Sequence, residues 1–471
     1  MTDRRNTAAV VLAAGLGTRF RSEQAKVMHR VAGRTLLRHV LEAVRPVGFV
    51  QVVVVVGHQA DEVTAEAGAA GIDGLTTAIQ EEQLGTGHAA AQALGALDPA
   101  IRHVVVLPGD TPLLTAKTLE LLADTEAEAD AVLLTTELDD PTGYGRVLRE
   151  DTGGVAAIVE EADATEAQRA LTEVAVSMYR FDREALADAL GKIDTENAQG
   201  ELYLTDAIEV LVSRGSAVRA VLADPTDVRG VNDRVELAEV GAVLHRRALE
   251  ALMRGGVTVV DPTATYVDVG VSVGRDTVIL PGCLLEGETT IGEGATIGPY
   301  SRLADAVVED GATVAQSVVL GASVGPDVTV GPYSYLRPGT RLERAAKAGA
   351  FVEIKKSVVG ERSKVPHLSY VGDATIGRDV NVGAGTVTVN YDGFGKHETE
   401  VGDGAFIGSD TMLVAPVRIG RGAVTGAGST ITKDVPDDAL AVERSEQRTL
   451  EGRARARRER HERRDPGAGT R

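Results

Sequence analysis

Cysteine, positive charge and long apolar runs are all scarce in this 471-residue chain. The one thiol, Cys283, excludes an intrachain disulfide and any cysteine-built metal cluster, which fits a reducing cytoplasm. Lys and Arg number 49 against 69 Asp and Glu, a net charge of −20 that argues against general nucleic-acid binding. Locally clustered lysines and arginines can still hold an anionic substrate. No stretch is long and apolar enough to span a bilayer. Arg4 and Arg5 ahead of residues 8–14 resemble a signal peptide only superficially, because the apolar run is short and Arg19 soon follows. That run reads as a first buried strand, and the chain as a soluble cytoplasmic protein without membrane insertion. What remains, 43% hydrophobic and 25% charged, is ordinary globular composition with room for two or three domains.

The second half carries a hexapeptide rhythm. An aliphatic residue returns every sixth position at Val267, Val273, Ile279, Leu285, Ile291, Ile297 and Leu303. The register restarts at Val324, Val330, Leu336 and Leu342, at Ile376 and Val382, and at Val401, Ile407, Leu413 and Ile419. Neither the helix period of 3.6 nor the strand period of 2 gives such a pattern, whereas a coil of short strands with one inward aliphatic per face does. A sandwich would show alternating strands at wider spacing. The reading is a left-handed parallel β-helix over residues 257–445, whose coils bury their aliphatics against one another.

Residues 1–231 alternate strand-like runs (8–14, 51–57, 103–107) with helical ones (36–44, 89–97), the pattern of an α/β, Rossmann-like domain with a mostly parallel sheet. Two strand ends stand out. Leu12-Ala13-Ala14-Gly15-Leu16-Gly17-Thr18-Arg19, with Lys26 beyond, suits phosphates cradled by backbone amides and met by two cations. It lacks the Gly-Lys-Ser/Thr of a P-loop, and Phe20 replaces the third glycine of a dinucleotide fingerprint. Asp110, in Leu107-Pro108-Gly109-Asp110-Thr111-Pro112, could hold Mg²⁺ against substrate phosphates. The same segment also reads as a helix start capped by Thr111. Residues 232–256 predict a rigid linking helix with an Asp233/Glu236 capping box, ended by Gly255-Gly256. The rod's rhythm breaks around Leu336-Arg337-Pro338-Gly339, Lys355, Pro366-His367-Leu368-Ser369-Tyr370 and the non-repeat loop from Asn390 to about Glu400. Repeat proteins place insertions on a binding face, so this break is a second candidate site. Residues 446–471 form an Arg-rich tail, a solvated or frayed helix by default.

Three motifs now make a resemblance specific: Gln80 to His88, Asp139 to Arg146, and Ile158-Val159-Glu160. With them, residues 8–445 resemble the bifunctional N-acetylglucosamine-1-phosphate uridyltransferase and glucosamine-1-phosphate N-acetyltransferase family. The resemblance implies that Leu12, Ala13, Ala14, Gly15, Gln80, Gly85 and Thr86 hold the uracil and ribose of UTP, and that Arg19 and Lys26 meet its phosphates. Gly145 and Glu160 would line the sugar pocket, and Asp110 and Asn232 would coordinate Mg²⁺. In the rod it implies that Arg337, Lys355 and Lys396 grip the phosphate of glucosamine-1-phosphate, while Tyr370, Asn381, Asn390 and Tyr391 fix the sugar. His367 would be the general base, a role suited to a ring that exchanges its proton near neutral pH. Ala384, Ser409, Ala427 and Arg444 would line an acetyl-CoA groove between two rods, which implies a homotrimer.

Three positions depart from the family pattern. Ala175 and Ser177 stand where an asparagine and a glycine are usual, and Ala25 where a proline precedes the lysine. The first pair implies a weakened but working sugar pocket. Two other readings remain at this point: a nucleotidylyltransferase for another sugar phosphate with a structural β-helix, and a non-catalytic assembly subunit.

Overall fold

The computed structural model describes residues 6–125, 129–151 and 153–464; Arg4 and Arg5 lie outside them. The chain divides into two compact units, residues 1–251 with 267–270 and residues 252–266 with 271–471.

The core of the first unit is one sheet. Across it lie Val218–Leu222, Ala131–Glu137, Glu173–Asp182, His103–Pro108, Thr7–Ala13, Gln51–Val56 and Leu75–Ile79, in that order. The central strands are runs of Val and Ala buried on both faces, as parallel strands covered by helices require. The sheet is mixed, because Glu173–Asp182 runs antiparallel to both of its neighbours. Thr7–Ala13, Gln51–Val56 and His103–Pro108 are strands and Leu36–Val44 and Thr86–Ala96 are helices, each within three residues of the bounds that the alternation predicts. The expected helix start at Thr111 is corrected: the helix is Ala116–Asp124, capped by Thr115, whose hydroxyl accepts the Thr118 N–H (3.2 Å). Thr111 closes a turn onto the Pro108 carbonyl instead (3.2 Å).

The helix Arg234–Arg254 is packed on this unit, with Val240 and Leu244 buried against Phe20, Leu36, Leu113 and Val231. The expected capping box forms only in part. Asp233 Oδ1 accepts the N–H groups of Val235 (2.8 Å) and Glu236 (2.9 Å), but the Glu236 carboxylate returns to the Asn232 N–H, one residue upstream.

The second unit is a three-faced parallel β-helix of two- to four-residue strands, with eleven, ten and nine strands on its faces. Side chains stack inward in columns; Ile279, Ile297, Val314, Val330, Ala348 and Val365 form one, each fully buried. The loop after Val389 lengthens a single coil, so that the step Val359↔Ile376 is followed by Ile376↔Val401 without loss of register. Arg453–Arg464 is helical. Among the described residues no helix is long and apolar enough to cross a membrane.

Candidate active sites

Leu12, Ala13 and Ala14 end the strand Thr7–Ala13 at the sheet's carboxyl edge, where open α/β sheets bind ligands. Gly15 follows, and a Cβ built on it would meet no atom within 4 Å, so packing does not explain this glycine. Gly17 differs: it has φ +61°, and a Cβ would fall 2.5 Å from the Lys26 Cβ. Arg19 is exposed on a single turn, Thr18–Phe20. Lys26 Nζ bonds Asn232 Oδ1 (3.0 Å) and pairs with the Asp110 carboxylate. Two oxygen donors from separate segments thus converge on one cationic position, and hard oxygens are what Mg²⁺ takes. Among the described residues there is no group of three or more His, Cys, Asp or Glu suited to a metal, so the cation would complete its shell with substrate oxygens and water. Ala25 has φ −54° and ψ 137°, a conformation open to proline, and its N–H is bound by Gln59 Oε1 (2.6 Å).

Gln80 is buried, and its amide braces the next turn by donating to Gly85 O (3.1 Å). Gly85 has φ +107°, and a Cβ there would lie 2.5 Å from Leu202 O. Thr86 Oγ1 accepts the Leu204 N–H (3.0 Å), which ties this turn to the residues that approach Glu160. Glu160 Oε1 accepts from the Thr205 hydroxyl (3.0 Å), and its Oε2 lies 3.5 Å from where a Gly145 Cβ would stand. Burial raises the Glu160 carboxyl above its ordinary value. Burial, aided by the charge of Glu160, pushes Asp206 up to about 6. Glu160 and Asp206 line a cleft of about 360 Å³ with Ile158, Asp163, Lys192 and Tyr203.

Ala175 pairs with Gly145 across the sheet, beside this pocket. Ser177 sits where the register slips between Ala175 and Tyr179, at φ +55°. Holding a residue with a Cβ in that left-handed region costs about 1–2 kcal/mol. Ser177→Gly should therefore raise the stability of the first unit by about 1 kcal/mol, read as a shift in its denaturant midpoint. Adding Ala175→Asn should raise kcat/KM for the sugar phosphate by roughly tenfold, the value of one restored hydrogen bond to a buried polar group. An unchanged kcat/KM in the double variant would show that the pocket does not need that amide.

In the rod, Arg337, Lys355, Tyr370 and Asn390 belong to consecutive coils of the ten-stranded face. Arg337 Nη1 bonds Glu353 (3.0 Å), and its guanidinium lies 5.9 Å from the Tyr335 ring centre. The Lys396 ammonium faces Lys355 and pulls the Lys355 amine below its ordinary value. Two like charges held together leave a place for a multiply charged anion. A Cβ on Gly372 would lie 2.4 Å from the Tyr370 hydroxyl and 2.7 Å from Asn390 Nδ2, so the two side chains meet above that glycine. Asn390 Nδ2 is fixed by the buried Asp373 carboxylate (2.6 Å). The loop is organised by Asp392, which accepts the N–H groups of Phe394 (2.8 Å) and Gly395 (2.7 Å) and pairs with His397 (2.7 Å). Tyr391 donates to Gly393 O (2.8 Å) and bridges to Lys396.

His367 ends the strand Lys364–His367 on the adjoining, eleven-stranded face, with its side chain exposed at the corner that leads into Tyr370–Gly372. That corner forms a ladder. Gly385 N–H donates to His367 O (3.3 Å), Asp410 N–H to Ala384 O (2.7 Å), Gly428 N–H to Ser409 O (2.8 Å) and Arg444 Nη1 to Ala427 O (3.0 Å). His367, Ala384, Ser409, Ala427 and Arg444 therefore lie in one column. Asn381 is on the eleven-stranded face, paired with Lys364, and one chain does not bring it to the face of Tyr370.

Sequence reasoning missed Thr205, Asp206 and Tyr203 beside Glu160, and Asp392 in the loop. Only Asp392 had a local signal, since Asn-Tyr-Asp-Gly is turn chemistry with an Asp that can accept its own backbone N–H groups.

A MobA-like NTP transferase domain model matches residues 9–188, and a bacterial transferase hexapeptide (six repeats) model matches residues 398–433. The bifunctional protein GlmU of Heliobacterium modesticaldum is 52% identical over 446 residues, covering 94% of this chain and 96% of the relative. That of Streptomyces coelicolor is 51% identical over 95% of this chain and 94% of its own length, and that of Halalkalibacterium halodurans 48% over 95% and 98%. Nucleotidyl-transfer sheet, hexapeptide rod and identity along nearly the whole length agree, and the chain belongs to the GlmU family of bifunctional N-acetylglucosamine-1-phosphate uridyltransferases and glucosamine-1-phosphate N-acetyltransferases.

Proposed function

We propose that this bifunctional enzyme makes UDP-N-acetylglucosamine for cell-envelope precursors in the cytoplasm, acetylating glucosamine-1-phosphate in the rod and then transferring uridylate in the first unit. The observation that carries the reading is the meeting of Lys355, Lys396, Tyr370 and Asn390 on the face that adjoins the His367 corner. A structural rod has no use for two lysine amines held face to face, and the phosphate of a sugar phosphate is matched by them.

In the rod, Arg337, Lys355 and Lys396 hold the phosphate, and Tyr370 and Asn390 orient the ring. The sugar amine attacks the thioester carbonyl of acetyl-CoA while His367 takes the proton; the C–S bond then breaks, and the proton passes to the CoA sulfur. The Ala384, Ser409, Ala427 and Arg444 column receives the cofactor's arm. Asn381 lies off the sugar face of its own chain, so the reading has it serve a site completed by a neighbouring rod. Support for a homotrimer comes from the same corner above His367, where Tyr300, Tyr333, Phe351 and Leu368 stand 56–72% exposed in a chain with only 3% aromatics.

In the first unit the attacking group is a sugar phosphate, already nucleophilic at neutral pH, so no general base is required. Catalysis is charge neutralisation and alignment. Arg19 and Lys26 meet the UTP phosphates, the open face of Gly15 admits the nucleotide, and Gly145 and Glu160 hold the sugar. Asp110 and Asn232 would hold Mg²⁺, which when bound neutralises phosphate charge.

The test is a product assay with UTP, Mg²⁺ and equal glucosamine-, N-acetylglucosamine- and glucose-1-phosphates, with and without acetyl-CoA. UDP-N-acetylglucosamine should dominate, and acetyl-CoA should consume the glucosamine phosphate. Preference for another sugar would overturn the first-unit assignment and leave the rod's intact.

A further inference from the structure

We propose that Lys26 is a displaceable internal cation that occupies the divalent-metal position of the uridyl-transfer site, so that metal entry releases its ammonium to the phosphates. The inference rests on the uridyl-transfer reading of that site.

The two oxygen donors form a fixed frame. Val231 N–H donates to Asp110 O (3.0 Å), tying the segments of Asp110 and Asn232 together. Glu236 holds the Asn232 N–H, and Asp233 caps the helix that follows. The cation between them is mounted differently. Its base is anchored, because Gln59 Oε1 holds the Ala25 N–H (2.6 Å) and the Lys26 Cβ abuts Gly17. Its tip ends a four-carbon stem and, among the described residues, its ammonium is held by Asp110 and Asn232. Lys26 and Asp110 side chains are 16% and 22% exposed, half-buried enough that an unpaired carboxylate there is unfavourable.

One ammonium carries a single charge, so it cannot fully neutralise both Asp110 and a phosphate. A divalent cation placed beside Asp110 repels the ammonium, and its second charge needs compensation that arriving phosphates supply. Metal alone therefore displaces the ammonium from the carboxylate, and arriving phosphates then take up both the freed Lys26 and the metal's second charge. At no stage is Asp110 left without a cation. Lys26 is a positioning residue for the metal before it is a phosphate contact.

The test titrates Mn²⁺ alone into the full-length protein, followed by paramagnetic resonance, for wild type, Lys26→Met and Lys26→Met with Asp110→Asn. Without its competitor the site should bind Mn²⁺ about tenfold tighter, the scale of one half-buried ion pair. The second substitution should abolish the gain. Equal or weaker Mn²⁺ binding by Lys26→Met overturns the proposal. A measurement on the unaltered protein guards against misfolding of the variant: saturating Mn²⁺ should raise acylation of the Lys26 amine by an activated ester severalfold, counted by peptide mass spectrometry. Unchanged acylation overturns the proposal as well. Neither readout needs turnover, so a failure to make UDP-sugar would refute the uridyl-transfer reading separately.

Discussion

Alanine at His367 should lower acetyl transfer by about 10²–10⁴-fold, the usual contribution of a positioned general base, and leave uridyl transfer at its wild-type rate. The amine must attack as the neutral base and becomes cationic as the new C–N bond forms, and without His367 its proton passes only to water, a much weaker acceptor. The substitution is also structurally mild. The His367 side chain is exposed, while the backbone around it is held by Ser369 Oγ and the Gly385 N–H and the inward neighbours Val365 and Val371 are untouched. Stability should stay within about 0.5 kcal/mol, as for surface changes away from special features. Thiol release from acetyl-CoA measures the first activity and pyrophosphate release from UTP the second. Acetyl transfer that survives at more than a tenth of the wild-type rate would remove His367 from the reaction.

Asp110→Ala should produce the mirror image, a loss of uridyl transfer by about 10²–10³-fold, comparable to removal of one preorganised charge stabiliser, with acetyl transfer intact. Alanine leaves Asn232 Oδ1 as the single oxygen at the cationic position, and a neutral amide does not hold a divalent cation there unaided. It also frees Lys26, so some phosphate affinity should persist while the rate collapses: the KM for UTP should change less than kcat does. If KM rises and kcat holds, Asp110 serves ground-state binding alone.

The fold was legible wherever a period repeated. Val267 to Leu303 turn inward one face at a time, as the six-residue rhythm requires. The rhythm faded after Leu303 for a plain reason: Val308, Val319 and Val324 each follow the preceding inward residue by five positions, because those corners are one residue shorter. After Leu342 the next inward residue is Ala348, too small to register as aliphatic in a scan. Caps were harder. Thr111 and Thr115 are both plausible helix caps in sequence, and only the packing of the strand end decides between them. Residues such as Asn232 and Asn381 acquired roles through resemblance, since no local pattern distinguishes them from surface residues. Gln59, Thr205 and Asp206 act across long sequence separations, which a local reading cannot reach.

The corner ladder below His367 sets a length. Four coil steps of about 4.8 Å each separate His367 from Arg444 along the axis, roughly 19 Å in all. On the proposed reading the rod would serve as a ruler, with the reacting end of acetyl-CoA at His367 and its charged end near Arg444. Reach would then select the donor, and the strand-to-strand hydrogen bonds, which keep the rungs evenly spaced even across the lengthened coil, would keep that measure true.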